Sequence, residues 1–274
     1  MSFISIKNNP DLKGLVTAHK SFIYSERQQL EAILISPANF SNTNKAAILF
    51  VQGSGFKGPL LHPTKIHHLS MFAKAGYVVM SITHRDCREG HPFPAYLEDA
   101  KCAVRYLRAH AEEYGIDPDK IGMFGTSSGA NATMLTAMTA NDPRYKTEEY
   151  AEFSDHIACA VQAFGPTIME KMPERIKEEL GKPLIGQKDG MEVMREMSPY
   201  CILNEKTQMP PLLMIQGDAD PTVPYEQAEL MYEKMTALGK EVDFIRVEGA
   251  VHERDCWSEE VYARIHAFFD KHLL

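Results

Sequence analysis

The sequence contains no run of lysine and arginine residues, and acidic side chains outnumber basic ones. There are 29 basic residues against 37 acidic residues, which gives a formal net charge of −8. Proteins that bind nucleic acids or anionic membranes need a basic face, so we expect neither as a partner. Apolar runs are also short: the longest, such as residues 46–51, have the length of a strand and not of a membrane span.

Cysteine is scarce, and its spacing indicates no disulfide or metal framework. The five cysteines are dispersed and form no C-x-x-C motif, which is typical of reduced thiols in a cytoplasmic protein. Residues 1–14 carry several charged and amide side chains, so this stretch lacks the apolar core of a signal peptide. We therefore expect a cytoplasmic location and interpret each cysteine as a small buried side chain.

Strand-like and helix-like segments alternate along the 274 residues, a length that suits one large domain or two smaller ones. Apolar stripes at helical spacing, such as Leu97, Ala100, Val104 and Leu107, separate short apolar runs. This alternation predicts an α/β fold, with a mostly parallel central sheet and helices on both faces. The predicted strands are 20–24 and 30–35, which form an antiparallel pair, and 46–51, 77–82, 121–124, 157–163, 212–215 and 242–247.

Residues 165–210 do not follow the alternation. This segment is helical in character, rich in charge and methionine, and has no clear strand. We predict that residues 1–274 form a single domain in which 165–210 is a cap insertion over one end of the sheet, shaping the ligand pocket. Met191, Met194 and Met197 are spaced for one side of a helix, where packing on the core is favoured over lining a pocket.

The residues Gly125-Thr126-Ser127-Ser128-Gly129 match the G-x-S-x-G pattern of a nucleophilic serine. They directly follow predicted strand 121–124 and open a predicted helix over 128–138. A serine on such a sharp turn is exposed on a strained backbone, and glycines on either side avoid a collision across the turn. Ser127 is therefore the candidate nucleophile. The alternative is that Ser127 or Ser128 only caps the helix.

A serine hydroxyl is a weak nucleophile near neutral pH and needs a neighbouring base. Of the eleven histidines, His252 lies in the loop after the last predicted strand. We select it as the candidate base. His84 and His91 are its rivals in loops near the carboxyl end of a strand, but both precede the serine in the chain.

The base in turn needs a carboxylate that fixes its tautomer and stabilises its protonated form. Asp218 and Asp220 both follow predicted strand 212–215 and so lie at its carboxyl end. Asp220, further along the loop, is the candidate acid, and Asp218 is the runner-up that stabilises the loop. The order Ser127, Asp220, His252 is the order found in hydrolase sheets.

A glycine-rich turn, residues 52–56, follows predicted strand 46–51. Such a turn can direct backbone N–H groups at a developing oxyanion. The candidate oxyanion-hole donors are the amide of Ser54 or Gly55 and the amide of Ser128. The alternative interpretation of the glycines is a simple tight turn.

Together these residues resemble the α/β-hydrolase superfamily, and more narrowly the bacterial acetylxylan/feruloyl-esterase-like branch near the hormone-sensitive-lipase relatives. In that family the acid falls at the position of Asp220 and the base at His252. Two departures are visible: the usual His-Gly-Gly-Gly turn is here Gln-Gly-Ser-Gly at 52–55, and the usual glycine after the elbow is Ala130. The similarity runs from about Lys45 to Leu274 and is also carried by Phe50–Phe56, Phe93–Ala100, Tyr114–Ile121 and Gly217–Pro224.

The resemblance implies an α/β-hydrolase fold and a serine carboxylesterase with a Ser-His-Asp acyl-enzyme mechanism. The implied substrate is a small-molecule or oligosaccharide ester, first acetyl esters on carbohydrates and second feruloyl esters, with no cofactor and no metal. A small-amide hydrolase or peptidase-like enzyme with the same triad is the alternative, and a non-catalytic binding protein is a third interpretation. Trp257, the only tryptophan, either lines the pocket or packs the last helix.

Overall fold

The computed structural model describes residues 17–59, 67–186 and 188–274, so the stretch 1–14 lies outside the described residues. The described strands form one eight-stranded sheet in the order β1-β2-β4-β3-β5-β6-β7-β8. Strands β3 to β8 run parallel, while β1 pairs with β2 and β2 with β4 in antiparallel register. The strands are β1 (Thr17–Ser25), β2 (Leu30–Pro37), β3 (Ala47–Val51), β4 (Val78–Ile82), β5 (Ile121–Thr126), β6 (Cys159–Ala163), β7 (Leu212–Gly217) and β8 (Val242–Val247).

Helices connect the parallel strands, and the predicted α/β fold with its antiparallel first pair is confirmed. In the described part of the chain, no helix combines the length and apolar character needed to cross a membrane. The helices are α1 (Ser70–Lys74), α2 (Ala95–Ala109), α3 (Ser128–Met138), α4 (Glu174–Ile185), α5 (Gly190–Glu196), α6 (Pro199–Ile202), α7 (Tyr225–Ala237) and α8 (Glu259–Leu273).

Apolar layers cover both faces of the sheet. In β3, Leu49 and Val51 belong to the layer that contains side chains of α2, α3 and α7. Ile48 and Phe50 belong to the opposite layer, which contains side chains of α1 and α8. Because neither face meets water, the strand reads as an unbroken apolar run without alternation.

A buried ion cluster lies beneath α2. Lys101 Nζ is 3.0 Å from Asp155 Oδ1, and one Arg105 guanidinium nitrogen is 3.5 Å from Asp155 Oδ2. All three side chains are almost completely buried. Two cations share one carboxylate here. Lys101 also donates to the Thr139 carbonyl oxygen, and Arg105 also donates to the Thr147 hydroxyl, so both cations have further hydrogen-bond acceptors.

The segment 165–210 connects β6 to β7 through α4, α5 and α6, and its described residues form no strand. Leu180 of α4 and Val193 of α5 are buried in the layer on the α2 side of the sheet. Met197 is buried and Met194 packs beside it, but Met191 is 51% exposed, so the prediction that all three methionines share one buried side is wrong.

Four of the five cysteines are buried free thiols, and Cys201 is an exposed free thiol. The interpretation of each cysteine as a buried side chain is therefore wrong for Cys201. Burial raises the pKa of Cys256, which follows β8, to about 11, so this thiol is neutral near pH 7.

Candidate active site

Ser127, His252 and Asp220 form one hydrogen-bonded series at the carboxyl edge of the parallel sheet. His252 Nε2 lies 2.9 Å from Ser127 Oγ, and His252 Nδ1 lies 2.6 Å from Asp220 Oδ2. The three residues follow β5, β8 and β7, whose carboxyl ends meet at this edge. A carboxylate only accepts, so Nδ1 carries the imidazole proton and Nε2 is left to accept the serine proton.

The backbone of Ser127 is strained in the manner of a nucleophile elbow. Its φ is +50° and its ψ is −122°, and its side chain makes no capping hydrogen bond to α3. The interpretation of Ser127 as a helix cap is therefore wrong. A Cβ at Gly125 would overlap the Gly129 carbonyl, and a Cβ at Gly129 would overlap the Val51 carbonyl, so only glycine fits on either side.

The Asp220 side chain is completely buried and holds four hydrogen bonds. Its Oδ1 accepts from the amides of Thr222 at 2.8 Å and Val223 at 2.9 Å. Its Oδ2 accepts from His252 and from Gln216 Nε2, the latter at 2.9 Å. Gln216 was not among the predicted site residues, and its signal in the sequence is a polar side chain inside the otherwise apolar strand β7.

Asp218 serves the loop and not the histidine. Its carboxylate accepts from Arg246 Nε at 2.8 Å and from the Gly249 amide at 2.6 Å, which ties the β7 loop to β8 and to the loop of His252. The hydrogen bond from Arg246 lowers the pKa of Asp218. This geometry corresponds to the loop-stabilising role given to the runner-up.

The rival histidines lie outside the hydrogen-bonded series. His84 is buried, and its Nδ1 is 2.9 Å from the Arg85 carbonyl oxygen. Burial lowers the pKa of His84, so this ring is neutral at pH 7. His91 lies in the loop that precedes α2.

The loop over residues 52–56 passes directly against Ser127. A Cβ at Gly53 would lie 2.6 Å from Ser127 Cβ. The Gly53 amide donates to Thr126 Oγ1 at 2.8 Å, and the Ser54 amide donates to Ser128 Oγ at 2.9 Å. Thus the hydroxyls on either side of Ser127 accept from two successive loop amides, and one of the two candidate loop donors, the Ser54 amide, already has an acceptor. The Gly55 amide forms no hydrogen bond within the described residues.

A cavity of about 450 Å³ opens beside His252. Trp257 lines it and stacks on Tyr262 of α8, with ring centroids 5.4 Å apart, so the tryptophan both lines the pocket and packs the last helix. None of the residues that line this cavity comes from the described part of segment 165–210. Its lining includes four aromatic side chains and the ring of His68; the four are Phe50, Phe124, Trp257 and Tyr262.

No group of three histidine, cysteine, aspartate or glutamate side chains is placed to hold a metal ion among residues 17–59, 67–186 and 188–274. A serine hydroxyl, an imidazole and a carboxylate hydrogen-bonded in this order, as Ser127, His252 and Asp220 are, match the geometry of nucleophile, general base and orienting acid.

Known proteins share this architecture. Esterase LipC of Mycobacterium tuberculosis is 30% identical over 194 residues, which are 68% of this chain and 47% of LipC. A truncated carbohydrate esterase from gut microbiota superposes with a TM-score of 0.81 and 26% identity, covering 97% of this chain and 99% of that one. The butyrate-bound esterase Est2 of Thermogutta terrifontis gives a TM-score of 0.73 and 25% identity, with coverage of 96% and 93%.

The chain spans about half the length of the curated relatives it matches. The BD-FAE family model, named for bifunctional acetylxylan and feruloyl esterases, matches residues 34–235. This range covers most of the chain and includes the serine elbow and the Asp220 loop. It confirms the resemblance to the acetylxylan/feruloyl-esterase-like branch, and the chain belongs to the BD-FAE family of α/β-hydrolase esterases.

Proposed function

We propose that this protein is a serine carboxylesterase that hydrolyses short-chain acyl esters, with Ser127 as nucleophile, His252 as general base and Asp220 as the supporting acid. One observation carries the proposal: the continuous series from Asp220 through His252 to Ser127, with separations of 2.6 and 2.9 Å. The series ends at a serine held at a φ of +50°, the strained turn that exposes a nucleophilic hydroxyl.

In the proposed reaction, Ser127 Oγ attacks the ester carbonyl carbon while His252 Nε2 takes the hydroxyl proton. Asp220 stabilises the imidazolium that results. When the tetrahedral intermediate collapses, His252 returns the proton to the alcohol oxygen, and the acyl group stays on Ser127. Water then attacks the acyl-enzyme with His252 again as base, which releases the acid and restores the serine.

We propose the amides of Ser128 and Gly55 as the oxyanion hole. The hydrogen bond from the Ser54 amide to Ser128 Oγ supports Gly55 over Ser54 as the loop donor. Gly55 has a φ of +65°, a conformation that a residue without Cβ adopts freely. Ser54 then contributes by anchoring the loop to the elbow.

Acetyl esters of carbohydrates are the proposed substrates, and feruloyl esters are the second class. The similarity to a carbohydrate esterase supports a sugar alcohol, and the butyrate held by Est2 supports a short acyl chain. The cavity beside His252 supports the same choice because its flat aromatic side chains suit the apolar face of a ring. The partner is thus a small-molecule or oligosaccharide ester.

We also propose that the catalytic groups belong to one α/β-hydrolase domain in which 165–210 is the cap. We call residues 52–56, which hold the proposed donor Gly55, the oxyanion loop. Lys57 Nζ, just beyond this loop, lies 2.6 Å from Glu179 Oε1 of α4. A Cβ at Gly55 would lie 3.8 Å from Leu180 Cδ1 of the same helix. These contacts support a cap that rests on the oxyanion loop.

Hydrolysis of p-nitrophenyl esters from acetyl to octanoyl tests the proposal, with the wild type compared with Ser127→Ala. The matched control is Ser41→Ala, an exposed serine in the β2–β3 connection. We expect rapid hydrolysis of the acetyl ester that is lost only in Ser127→Ala. Acetylated xylo-oligosaccharides and feruloyl esters are then tested as substrates. Ordinary activity of Ser127→Ala would overturn the mechanism, and faster hydrolysis of matched anilides would favour the amide-hydrolase alternative.

A further inference from the structure

We propose that Gln216 is a positioning residue of the triad, whose side-chain amide fixes the Asp220 carboxylate and moderates its effect on His252. The inference rests on the proposed function of these residues. It assigns a role in the reaction to a residue of β7 that contacts neither the nucleophile nor the base in the hydrogen-bonded series.

Gln216 contacts the same carboxylate oxygen of Asp220 as His252 does. Gln216 is completely buried, and its Nε2 donates to Asp220 Oδ2 at 2.9 Å and to the Val223 carbonyl oxygen at 3.2 Å. The same Oδ2 accepts from His252 Nδ1 at 2.6 Å. One oxygen of the Asp220 carboxylate therefore accepts hydrogen bonds from both His252 and Gln216.

The orientation of the Gln216 amide follows from its partners. Asp220 Oδ2 and the Val223 carbonyl both accept, so only the Nε2 end of the amide can face them. Oε1 then points away and is buried without a partner among the described residues. Buried polar atoms are normally paired. An apolar side chain at position 216 would avoid the unpaired oxygen that Gln216 leaves in the core. The interaction that Gln216 adds to this core is thus its donation to the Asp220 loop.

The neighbouring strand offers a comparison at Gln162 of β6. Gln162 is also completely buried, and its register partner on β7 is Met214, two residues before Gln216. Its Oε1 accepts from the Gly165 amide at 3.0 Å, and its Nε2 has no partner in the part of the chain described. Gln162 therefore resembles Gln216 in burial and chemistry but makes no hydrogen bond to Asp220.

The hydrogen bond from Gln216 changes the electrostatic interaction between Asp220 and His252. A hydrogen bond from Gln216 draws charge from Oδ2, which weakens the attraction between Asp220 and the imidazolium. Without it, the imidazolium is better stabilised and His252 holds its proton to a higher pH. The reaction needs neutral His252, so the acid limb of kcat/KM moves to higher pH. Asp220 also loses one of its four constraints, so kcat falls.

No other charged group around the pair is altered when Gln216 is replaced. The charge of Asp220 also acts on the Cys256 thiol, whose pKa burial raises, and Asp218 of the same loop is paired with Arg246 of β8. The other ionisable groups facing His252 from the cavity are His68, Glu253, Arg254 and Tyr262.

The test compares Gln216→Met, which has similar length and no donor, with the control Gln162→Met. Turnover of p-nitrophenyl acetate is measured from about pH 5 to 9. We expect Gln216→Met to lower kcat about 10-fold, to leave KM within about twofold and to raise the acid limb by about 0.5 pH unit. Gln162→Met is expected to leave kcat and the acid limb unchanged.

A second readout does not depend on turnover. The proton on His252 Nδ1 gives a low-field NMR resonance, which is assigned by its loss in His252→Ala. Its titration is expected to move to higher pH in Gln216→Met and not in Gln162→Met. Gln216→Glu keeps the shape of the side chain and serves if Gln216→Met does not fold. Its carboxyl donates to Asp220 only while protonated, so kcat and the resonance are expected to depart from wild type as it ionises.

Two outcomes overturn the inference. If the acid limb and the resonance match wild type in both Gln216 variants, Gln216 does not act on Asp220, and the proposed esterase stands. If Gln162→Met shifts them equally, the effect belongs to the sheet core. Failure of the proposed function is seen separately, as activity that survives Ser127→Ala.

Discussion

Replacing Gly129 with alanine adds a methyl group between the first turn of α3 and the end of β3. The new Cβ would lie 2.6 Å from the Val51 carbonyl carbon, closer still to its oxygen, and 3.0 Å from the Gln52 oxygen. Gly181 offers a matched control because it also lies within a helix, α4, and a Cβ there meets no heavy atom within 4 Å. The same chemical change should therefore have opposite effects at the two positions.

The magnitude at Gly129 follows from the contact with Val51. Real Cβ atoms essentially never approach another heavy atom within 3.0 Å, so the Val51 carbonyl carbon alone requires a shift of about 0.4 Å, and the nearer carbonyl oxygen requires a larger one. Such overpacking costs about 1–3 kcal/mol, partly offset by the better helix propensity of alanine, about 0.5–1 kcal/mol. Because Val51 leads into the oxyanion loop, the shift displaces a donor, and losing one donor lowers kcat about 10²–10³-fold.

Urea unfolding and turnover of p-nitrophenyl acetate measure both effects. We expect Gly129→Ala to fold with stability reduced by about 1–2 kcal/mol and kcat reduced at least about 100-fold. Gly181→Ala is expected to gain about 0.5–1 kcal/mol and to keep its kcat. A Gly129→Ala variant with wild-type kcat would refute the inference that this contact positions the oxyanion loop.

Three further predictions concern buried titratable groups. Asp220→Asn should lower kcat about 10⁴-fold because an amide favours the wrong tautomer of His252, whereas Asp218→Asn should keep kcat; equal losses on p-nitrophenyl acetate would contradict the choice of acid. Asp155→Asn leaves two buried cations without their carboxylate, and urea unfolding should show a loss of about 3–5 kcal/mol; a loss under about 1 kcal/mol would contradict this. Burial lowers the pKa of His84, so its contribution to stability is complete above the unfolded pKa of about 6.5 and declines as pH falls toward the folded pKa. His84→Gln should therefore flatten the decline of the unfolding free energy between about pH 7 and 5, and an unchanged slope would argue against the assignment.

The positions of the strands were predictable because burial on two faces leaves a simple pattern. The run 46–51 became β3, at Ala47–Val51, and the run 242–247 became β8 with the same bounds. Once the strands are parallel, residues just beyond their carboxyl ends converge, so Ser127, Asp220 and His252 were expected to be close together. Boundaries were less certain: β5 continues to Thr126 because it pairs with β6 up to Ala163.

The roles of Asp218 and Asp220 could not be separated by local sequence alone, since both follow the same strand. The difference arises from partners elsewhere in the fold. Arg246 of β8, 28 residues away, donates a hydrogen bond to Asp218. The amides of Thr222 and Val223 donate to Asp220 and orient it toward His252. The family resemblance resolved the choice of acid where the loop pattern left a runner-up.

The choice of oxyanion donor could not be predicted from the local sequence either, because it depends on a residue further away in the chain. Whether the Ser54 amide is available depends on the rotamer of Ser128, 74 residues later in the chain. The Gly-rich pattern indicates that amides can be presented, but it carries no information on which one meets an internal acceptor. Thr126, which takes the Gly53 amide, was missed for this reason.

The segment 165–210 and the histidine loop contact different parts of the site. Leu180 and Glu179 of α4 lie against the oxyanion loop and Lys57, whereas Trp257 and Tyr262 line the cavity beside His252. Oxyanion contacts act on the transition state, and cavity contacts act on the bound substrate as well. We infer that changes at Leu180 or Glu179 that displace the loop 52–56 alter kcat, while changes at Trp257 alter the choice of ester, because α4 contacts the loop of the proposed oxyanion donor and Trp257 lines the cavity.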